Sequence, residues 1–204
     1  MSANTANVIY REDGCILVKN VRLSYPHLFK KWGMNEGDTK KFSSKFLLDK
    51  KTHAADIKGM GQHLAGLMTT SFKGRIPNDK LFFRDGDQTG KETSAGQWEI
   101  AASEDKAPDV INRDRSRVNE DDDIVYAGCY VNVLIRPWAQ NNKFGKRINA
   151  NLLAVQFVKD GERFSGIERP DTNEAFDDVS EEFDDGEEAG RRAASEDADP
   201  FAED

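Results

Sequence analysis

Alternation of apolar and polar side chains predicts two strands in the first quarter of the chain. Residues 16–25 (ILVKNVRLSY) are rich in β-branched side chains and lie between Gly14 and Pro26, which are common strand boundaries. Residues 41–48 (KFSSKFLL) place two phenylalanines on one face and two lysines on the other. The intervening residues 26–40, which include Phe29, Lys30, Lys31 and Trp32, are predicted to form a loop.

The clearest strand patterns come late in the chain. Residues 124–138 (IVYAGCYVNVLIRPW) and 148–159 (INANLLAVQFVK) are both apolar and β-branched. The polar residues 139–147 between them indicate a turn, so we expect the two strands to pair as a central hairpin. The preceding region is polar and rich in turn residues, with short apolar pieces at 81–83 and 98–100 that predict brief strands.

A helical period replaces the alternation over residues 52–72. Thr52 is a suitable N-cap. Three glycines weaken the pattern, because each costs about 1 kcal/mol relative to alanine in a helix interior. The apolar residues recur at spacings of three and four: Ile57, Met60, Leu64, Leu67 and Met68.

Strands therefore dominate, with one helix inserted between the early and the late ones. This order predicts a mainly β fold, an OB-fold-like Greek-key β-barrel with an inserted α-helix. Cys15 and Cys129 are far apart and belong to no CxxC or Cys/His motif, so we expect buried, reduced thiols and neither a disulfide framework nor a zinc site.

Charge divides the 204 residues into a basic body and an acidic tail. Residues 171–204 contain 15 acidic and two basic residues. The preceding 170 residues contain 27 basic and 22 acidic residues, a net charge of +5 within a chain whose total is -8. We therefore predict a flexible N-terminus (1–14), an OB-like nucleic-acid-binding domain (15–170) and an acidic C-terminal tail (171–204).

The tail has no apolar period and cannot bury enough surface to offset its ordering entropy, which predicts disorder. A polyanion resembles a nucleic-acid backbone, so the tail could occupy a basic groove until DNA displaces it. A purely solubilising role is the alternative. Near its end, Asp199, Phe201, Glu203 and Asp204 present one aromatic ring among carboxylates, which suits docking into an apolar pocket of a partner protein.

The body interleaves cations with aromatic residues. Sequence-tolerant binding of single strands requires cations that follow the phosphates and exposed rings on which bases stack. For Trp32, Trp138 and Phe144 packing inside the fold is an equal alternative, and single lysines are often ordinary surface charges. We predict a single-stranded-DNA-binding surface that includes Arg22, Tyr25, Phe29, Lys30, Lys31, Trp32, Lys40, Lys41, Lys45, Arg113, Arg115, Arg136, Trp138, Lys143, Phe144, Lys146 and Arg147.

Catalytic patterns are weak by comparison. The acidic run at 120–123 could bind magnesium, as a nuclease requires, but consecutive acids point in different directions and favour a solvated loop. The three histidines lack ligand spacing, and no nucleophile elbow, P-loop or HExxH motif occurs. We therefore expect no catalytic residue, no metal and no cofactor.

The sequence also limits where the protein acts. The N-terminal residues 1–11 are polar and lack the apolar centre of a signal peptide, and no apolar run is long enough to span a bilayer. We expect a cytoplasmic protein without membrane contact. Homo-oligomerisation is left open.

Five segments in order resemble one known family. They are residues 21–29 (VRLSYPHLF), 41–48 (KFSSKFLL), 84–87 (RDGD), 126–131 (YAGCYV) and 154–164 (AVQFVKDGERF). Together they are similar to single-stranded-DNA-binding proteins of tailed phages, a family related to the T7-type phage single-strand binders.

The resemblance implies an OB-fold, single-stranded DNA as partner, and a role in phage replication or recombination, in the host cytoplasm. The acidic tail is similar to tails that recruit DNA polymerase and other replication proteins, although here three residues follow Phe201. Two other classes stay open: a protein-interaction adaptor with incidental DNA contact and, more distantly, a metal-dependent nuclease.

Overall fold

The computed structural model describes residues 7–72, 76–90, 92–143 and 145–164. Within these ranges strands predominate and one α-helix occurs. Short 3₁₀ helices cover Asn78–Lys80, Gly86–Thr89, Glu92–Ser94 and Glu120–Asp122. The main elements are β1 (Val8–Tyr10), β2 (Ile16–Trp32), β3 (Lys41–Asp49), α1 (Ala54–Ser71), β4 (Phe83–Asp85), β5 (Gln97–Glu104), β6 (Asp109–Ile111), β7 (Tyr130–Asn142) and β8 (Gly145–Lys159).

The eight strands of the described ranges form one sheet with the order β4-β5-β3-β2-β7-β8-β6, and β1 pairs with β2. Neighbouring strands are antiparallel, except that β6 and β8 are parallel. The mainly β fold with one helix inserted between early and late strands is thereby confirmed.

The two ends of the sheet are not joined by a continuous ladder. One parallel bridge joins Leu81 to Ile148. The Phe82 N–H donates to the Ile148 carbonyl at 2.8 Å, and the Phe82 carbonyl accepts from the Ala101 N–H at 2.8 Å. Leu81 and Phe82 therefore lie between β5 and β8, and the sheet curls so that these two strands face each other across them.

Strand β2 continues seven residues beyond its predicted end, because Pro26 lies at a β-bulge. The pairing of β2 with β3 shifts register between Ser24 and His27. A bulge leaves a residue outside the ladder, so a proline without an N–H is accommodated there. The segment predicted as a loop, 26–40, is consequently strand as far as Trp32, which pairs with Lys41.

The central hairpin is confirmed with shifted boundaries. Residues 124–129 precede β7, and the turn is much shorter than the predicted 139–147, because Lys143 and Phe144 alone separate the strands. Pairing continues from Ala139 with Ile148 to Asn142 with Gly145. These residues are polar because the tip of the hairpin is exposed, and exposure rather than chain reversal explains their composition.

Helix α1 begins at Ala54, two residues after the predicted cap. Asp49 supplies the polar group at this end, since its Oδ1 accepts the N–H groups of Lys51 and Thr52. Met60 and Leu64 are buried and attach the helix to the core of the sheet. The three and four spacing thus identified the helix correctly.

Residues 7–10 are attached to the body, which differs from the flexible segment expected over 1–14. β1 pairs with residues 16–18 of β2. The Tyr10 ring stacks on His63 of α1 with 4.8 Å between centroids, and Asn7 donates to Asp56 at 3.0 Å. Residues 1–6 lie outside the described ranges.

Both cysteines are buried free thiols, as the sequence predicted. Burial raises the pKa of Cys129 to about 11, so this thiol is an unreactive core group. No helix in the described part of the chain is long and apolar enough to cross a membrane. The predicted acidic tail, with Asp199, Phe201, Glu203 and Asp204, lies outside the described residues.

Candidate nucleic-acid interface

A cavity of about 340 Å³ opens on the outer face of β3 and β5. It is bordered by the second half of β2 on one side and by the start of β8 on the other, and we call it the groove. Its rings and apolar side chains include Tyr25, His27, Trp32 and Met34, and its charged side chains are Lys45, Lys80, Arg84, Arg147 and Asp79. Among the described residues that line it, four cations therefore face one carboxylate.

Strand alternation explains the composition of the groove floor. Phe46 and Leu48 of β3 point into the core, so Lys45 points outward. Its cross-strand partner on β5 is Ala101, and Ser43 is opposite Ser103. Because these partners are small, the floor lies low between the larger side chains on both sides.

Tyr25 is turned outward by the bulge in β2. Its φ of 49° lies in the left-handed region, which costs a non-glycine residue about 1–3 kcal/mol. The side chain is 46% exposed, and the Lys45 ammonium lies 5.6 Å from the ring centroid. The backbone thus bears strain to place an aromatic ring beside a cation at the groove.

Trp32 forms a second ring site with His27. Their centroids are 4.5 Å apart and their planes differ by 4°. His27 covers part of the indole, yet Trp32 remains 45% exposed. Burial lowers the pKa of His27, which favours the neutral imidazole and makes the pair a flat, uncharged platform.

Glu99 is a buried carboxylate beneath the groove. Lys45 Nζ lies 3.0 and 2.9 Å from its two oxygens, Arg84 Nε lies 3.4 Å from Oε2, and the Ser94 hydroxyl also donates to it. Burial alone would raise the pKa of Glu99, but the Ser94 hydrogen bond and the two cations hold the pKa below its ordinary value. Glu99 is therefore ionised at neutral pH.

The groove continues across the junction of Leu81 and Phe82 to the outer face of β8. Arg147 and Asn149 line it there. The Asn149 amide donates to Gln140 at 3.0 Å, and the cross-strand partner of Asn149 is Trp138, which is 42% exposed. Trp138 therefore lies on the same face immediately beyond the groove.

Four predicted contact residues line the groove: Tyr25, Trp32, Lys45 and Arg147. Trp138 borders it through Asn149. Lys146, next to Arg147, points to the opposite face of the hairpin, where its ammonium lies 5.9 Å from the Phe72 ring.

Two other predicted residues, Arg22 and Phe29, make contacts within the protein and do not line the groove. Arg22 donates to the carbonyls of Gly128 at 3.2 Å and Glu162 at 2.6 Å, so its role is to hold the segment after β8. Phe29 is partly buried and packs against the core, because β2 is still a strand at this position.

Several predicted lysines lie within β2 and β3, or next to them, but do not line the groove. Lys30 forms an ion pair with Glu120 at 2.8 Å, and Lys41 with Asp105 at 3.6 Å. The Lys31 ammonium is 5.7 Å from the ring of Phe42, and Lys40 is exposed.

The remaining predicted cations lie on other elements. Arg113 and Arg115 belong to the turn after β6, where Arg113 is 5.7 Å from the Phe157 ring, while Arg136 and Lys143 are exposed on the hairpin. Phe144 lies outside the described residues.

Sequence reasoning missed His27, Met34, Lys80 and Arg84. Arg84 was noted only within the RDGD segment, and its position opposite Glu99 depends on the pairing of β4 with β5. A prediction that extended β2 through Pro26 would have included His27. No signal in the sequence distinguishes Met34 or Lys80 from other surface residues.

The acidic run 120–123 lies exposed, and three of its four carboxylates have protein partners. Glu120 pairs with Lys30, Asp122 accepts the Asn119 N–H at 2.7 Å, and Asp123 pairs with Arg163 at 3.1 Å. Across the described ranges, no group of three or more His, Cys, Asp or Glu side chains could hold a metal ion.

Comparison with known proteins gives the family. The model of the ssDNA-binding protein of Enterobacter phage Enc34 matches residues 15–198. Protein p50 of Acyrthosiphon pisum secondary endosymbiont phage 1 is 32% identical over an alignment of 174 residues, which covers 81% of this chain and 94% of that protein.

Solved structures agree with this match. The bacteriophage Enc34 single-stranded DNA-binding protein in complex with ssDNA aligns with a TM-score of 0.71 and 38% identity, over 80% of this chain and 97% of that one. Another structure of the Enc34 protein aligns with a TM-score of 0.69 and 39% identity, over 86% and 97% of the two chains. The chain thus belongs to the family of the phage Enc34 single-stranded DNA-binding protein.

Proposed function

We propose that this chain binds single-stranded DNA in the groove, with little preference for sequence. The observation that carries the proposal is that Tyr25, Trp32 and four cations line one groove on the outer side of the sheet. An OB-type sheet binds oligonucleotides on this kind of face, between the loops that flank it. The related Enc34 protein has been solved in complex with ssDNA.

Each part of the groove has a distinct role in this binding. Tyr25 and Trp32 stack on bases, and stacking tolerates any sequence because every base has a flat face. Lys45, Arg84 and Arg147 neutralise backbone phosphates and release counterions. The single-stranded DNA then passes from Trp32 over the groove floor, formed by β3 and β5, to Arg147 and reaches Trp138. The predicted cations outside the groove contribute at most to the surrounding electrostatic field: Lys30, Lys31, Lys40, Lys41, Arg113, Arg115, Arg136, Lys143 and Lys146.

Binding of fluorescent oligo-dT, followed by anisotropy, tests the groove with a matched pair of variants. Tyr25→Ala removes a groove ring that is 46% exposed, and Tyr10→Ala removes a ring that is 43% exposed but stacks on α1. Tyr25→Ala is expected to weaken binding by about 1–3 kcal/mol, the energy of one stacked base. Tyr10→Ala should bind like the unmodified protein. Equal affinities of the two variants contradict the proposed site.

The acidic residues 171–204 are proposed to form a tail separate from the DNA-binding domain 15–170, and to compete with DNA. Their 15 carboxylates against two cations support competition, because the groove attracts polyanions. A chain that ends at Pro170 should bind oligo-dT more tightly than the full chain at low salt, and this gain should disappear at high salt. Unchanged low-salt affinity after truncation contradicts competition.

We propose a role in phage replication or recombination, where single strands are exposed, in the host cytoplasm; membership of a phage single-stranded-DNA-binding family supports this proposal. Asp199, Phe201, Glu203 and Asp204 are proposed to bind a replication protein such as a DNA polymerase. Phe201→Ala should then abolish pull-down of the phage polymerase while leaving oligo-dT affinity intact. Retained pull-down excludes Phe201 as the anchor.

A further inference from the structure

Glu99 is a carboxylate without solvent access in a protein that handles a polyanion. Burying an ionised carboxylate is unfavourable unless it is paired and hydrogen-bonded. Here Ser94, Lys45 and Arg84 satisfy it, and no buried side-chain nitrogen or oxygen of the described residues lacks a partner. These contacts explain how the buried charge is tolerated. They do not explain why a carboxylate occupies this position.

Both cations that pair with Glu99 also line the groove. Arg84 is directly opposite Glu99 on β4, and Lys45 is its diagonal neighbour on β3. Three strands thus converge on one carboxylate, with the two cationic side chains held at the floor. Free lysine and arginine side chains lose rotamer entropy when a bound phosphate fixes them, and prior fixation by Glu99 reduces that loss.

We infer that Glu99 is a positioning residue that holds Lys45 and Arg84 ready for the phosphates of single-stranded DNA. The inference rests on the proposed function of the groove. Glu99 touches no DNA itself, since its side chain has no exposed surface. Its effect on binding passes entirely through the two cations.

Charge and position predict opposite results when Glu99 is neutralised. Glu99→Gln makes the groove more positive by one charge, so charge alone predicts tighter binding and a steeper salt dependence. If position dominates, the same substitution weakens binding, because a glutamine amide no longer anchors both cations. The sign of the change therefore separates the two effects.

Anisotropy titrations of oligo-dT at two salt concentrations measure that sign. Glu99→Gln is expected to weaken binding about three- to tenfold, the scale of coupling within one polar network. The matched control is Asp109→Asn, which removes a carboxylate from the exposed ion pair with Arg117, at 3.2 Å and outside the groove. This control should bind as tightly as the unmodified protein or more tightly. Unchanged or tighter binding by Glu99→Gln overturns the inference.

A double-mutant cycle with Lys45→Gln distinguishes positioning from a general loss of structure. If Glu99 acts through Lys45, the double variant loses less than the sum of the two single losses. Additive losses overturn the inference. Should Lys45→Gln alone leave binding unchanged, the proposed groove itself is wrong, which is a different failure from that of Glu99.

Ser94→Ala covers the case in which Glu99→Gln does not fold. It removes the hydroxyl that donates to Glu99 but changes no charge. It should weaken binding by a smaller factor, about two- to threefold, with an unchanged salt slope. Full affinity in a folded Ser94→Ala protein, shown by its thermal unfolding, overturns the inference in that case.

Discussion

Trp32 stacks on His27 with the two ring planes within 4° of each other and 4.5 Å between their centroids. Burial lowers the pKa of His27 from its ordinary 6.5, so the folded protein favours the neutral imidazole. A histidine whose pKa is lowered in the folded state takes up a proton more readily in the unfolded chain. Its neutral state therefore stabilises the fold fully above pH 6.5, and this contribution declines as the pH falls below that value.

We expect His27→Phe to reduce the loss of thermal stability between pH 7.5 and pH 5. Phenylalanine retains a flat ring against Trp32 but cannot be protonated. Melting temperatures measured across this range by circular dichroism check the expectation. His63 contributes a residual decline, because burial lowers its pKa as well. Coincident pH curves of the variant and the unmodified protein contradict it.

Gly128 has a positive φ of 110° and approaches the Glu162 carbonyl so closely that a Cβ atom would overlap it. Gly14 has a φ of 77° but open space around the position of a Cβ. Gly14→Ala therefore adds backbone strain alone, about 1 kcal/mol. Gly128→Ala adds the same strain and must also displace the segment around Glu162, whose carbonyl Arg22 binds.

Urea unfolding should accordingly show a larger loss for Gly128→Ala, about 3 kcal/mol or more, as expected where a side chain is incompatible with the backbone and its surroundings. Gly14→Ala serves as its control. Equal losses in the two variants would mean that the contact between Gly128 and Glu162 is readily relaxed.

The elements that sequence periodicity identified are those whose burial alternates regularly. The helix and the late hairpin follow from apolar spacing alone, as does the outward direction of Lys45 from alternation in β3. The bulge at Pro26 does not follow from apolar spacing, because it depends on the pairing of β2 with β3. The bulge sets the exposed position of Tyr25, so that position could not be predicted in detail either.

Clustering along the sequence was an incomplete guide to clustering in space. Lys30 and Lys31 neighbour Trp32, yet Lys30 pairs with Glu120, which follows 90 residues later. Arg84 lies in a polar segment and Glu99 in the brief strand predicted at 98–100, and the contact between them depends on the pairing of β4 with β5. Local periodicity cannot predict these strand pairings, and the pairings determine which cations line the groove.

Arg147 and Lys30 should differ in their effect on salt dependence. Arg147 lines the groove, whereas Lys30 is 80% exposed and paired with Glu120 outside it. Removing one phosphate contact lowers the slope of log affinity against log salt by about one. Arg147→Gln should therefore reduce the slope by about one, and Lys30→Gln by much less. Equal slopes for the two variants would mean that the general field, not the groove, binds DNA.

Trp138 allows the path of the strand to be tested by DNA length. It is the partner of Asn149 at the edge of the groove and stays 42% exposed. A long oligonucleotide that crosses Arg147 can stack a base on Trp138, at about 1–3 kcal/mol, whereas a short one that fills the groove cannot. Trp138→Ala should thus weaken binding of long oligo-dT selectively, and Trp32→Ala should weaken both lengths. Anisotropy with a series of oligo-dT lengths gives the crossover. An equal loss for Trp138→Ala at every length would place its base contact inside the minimal site.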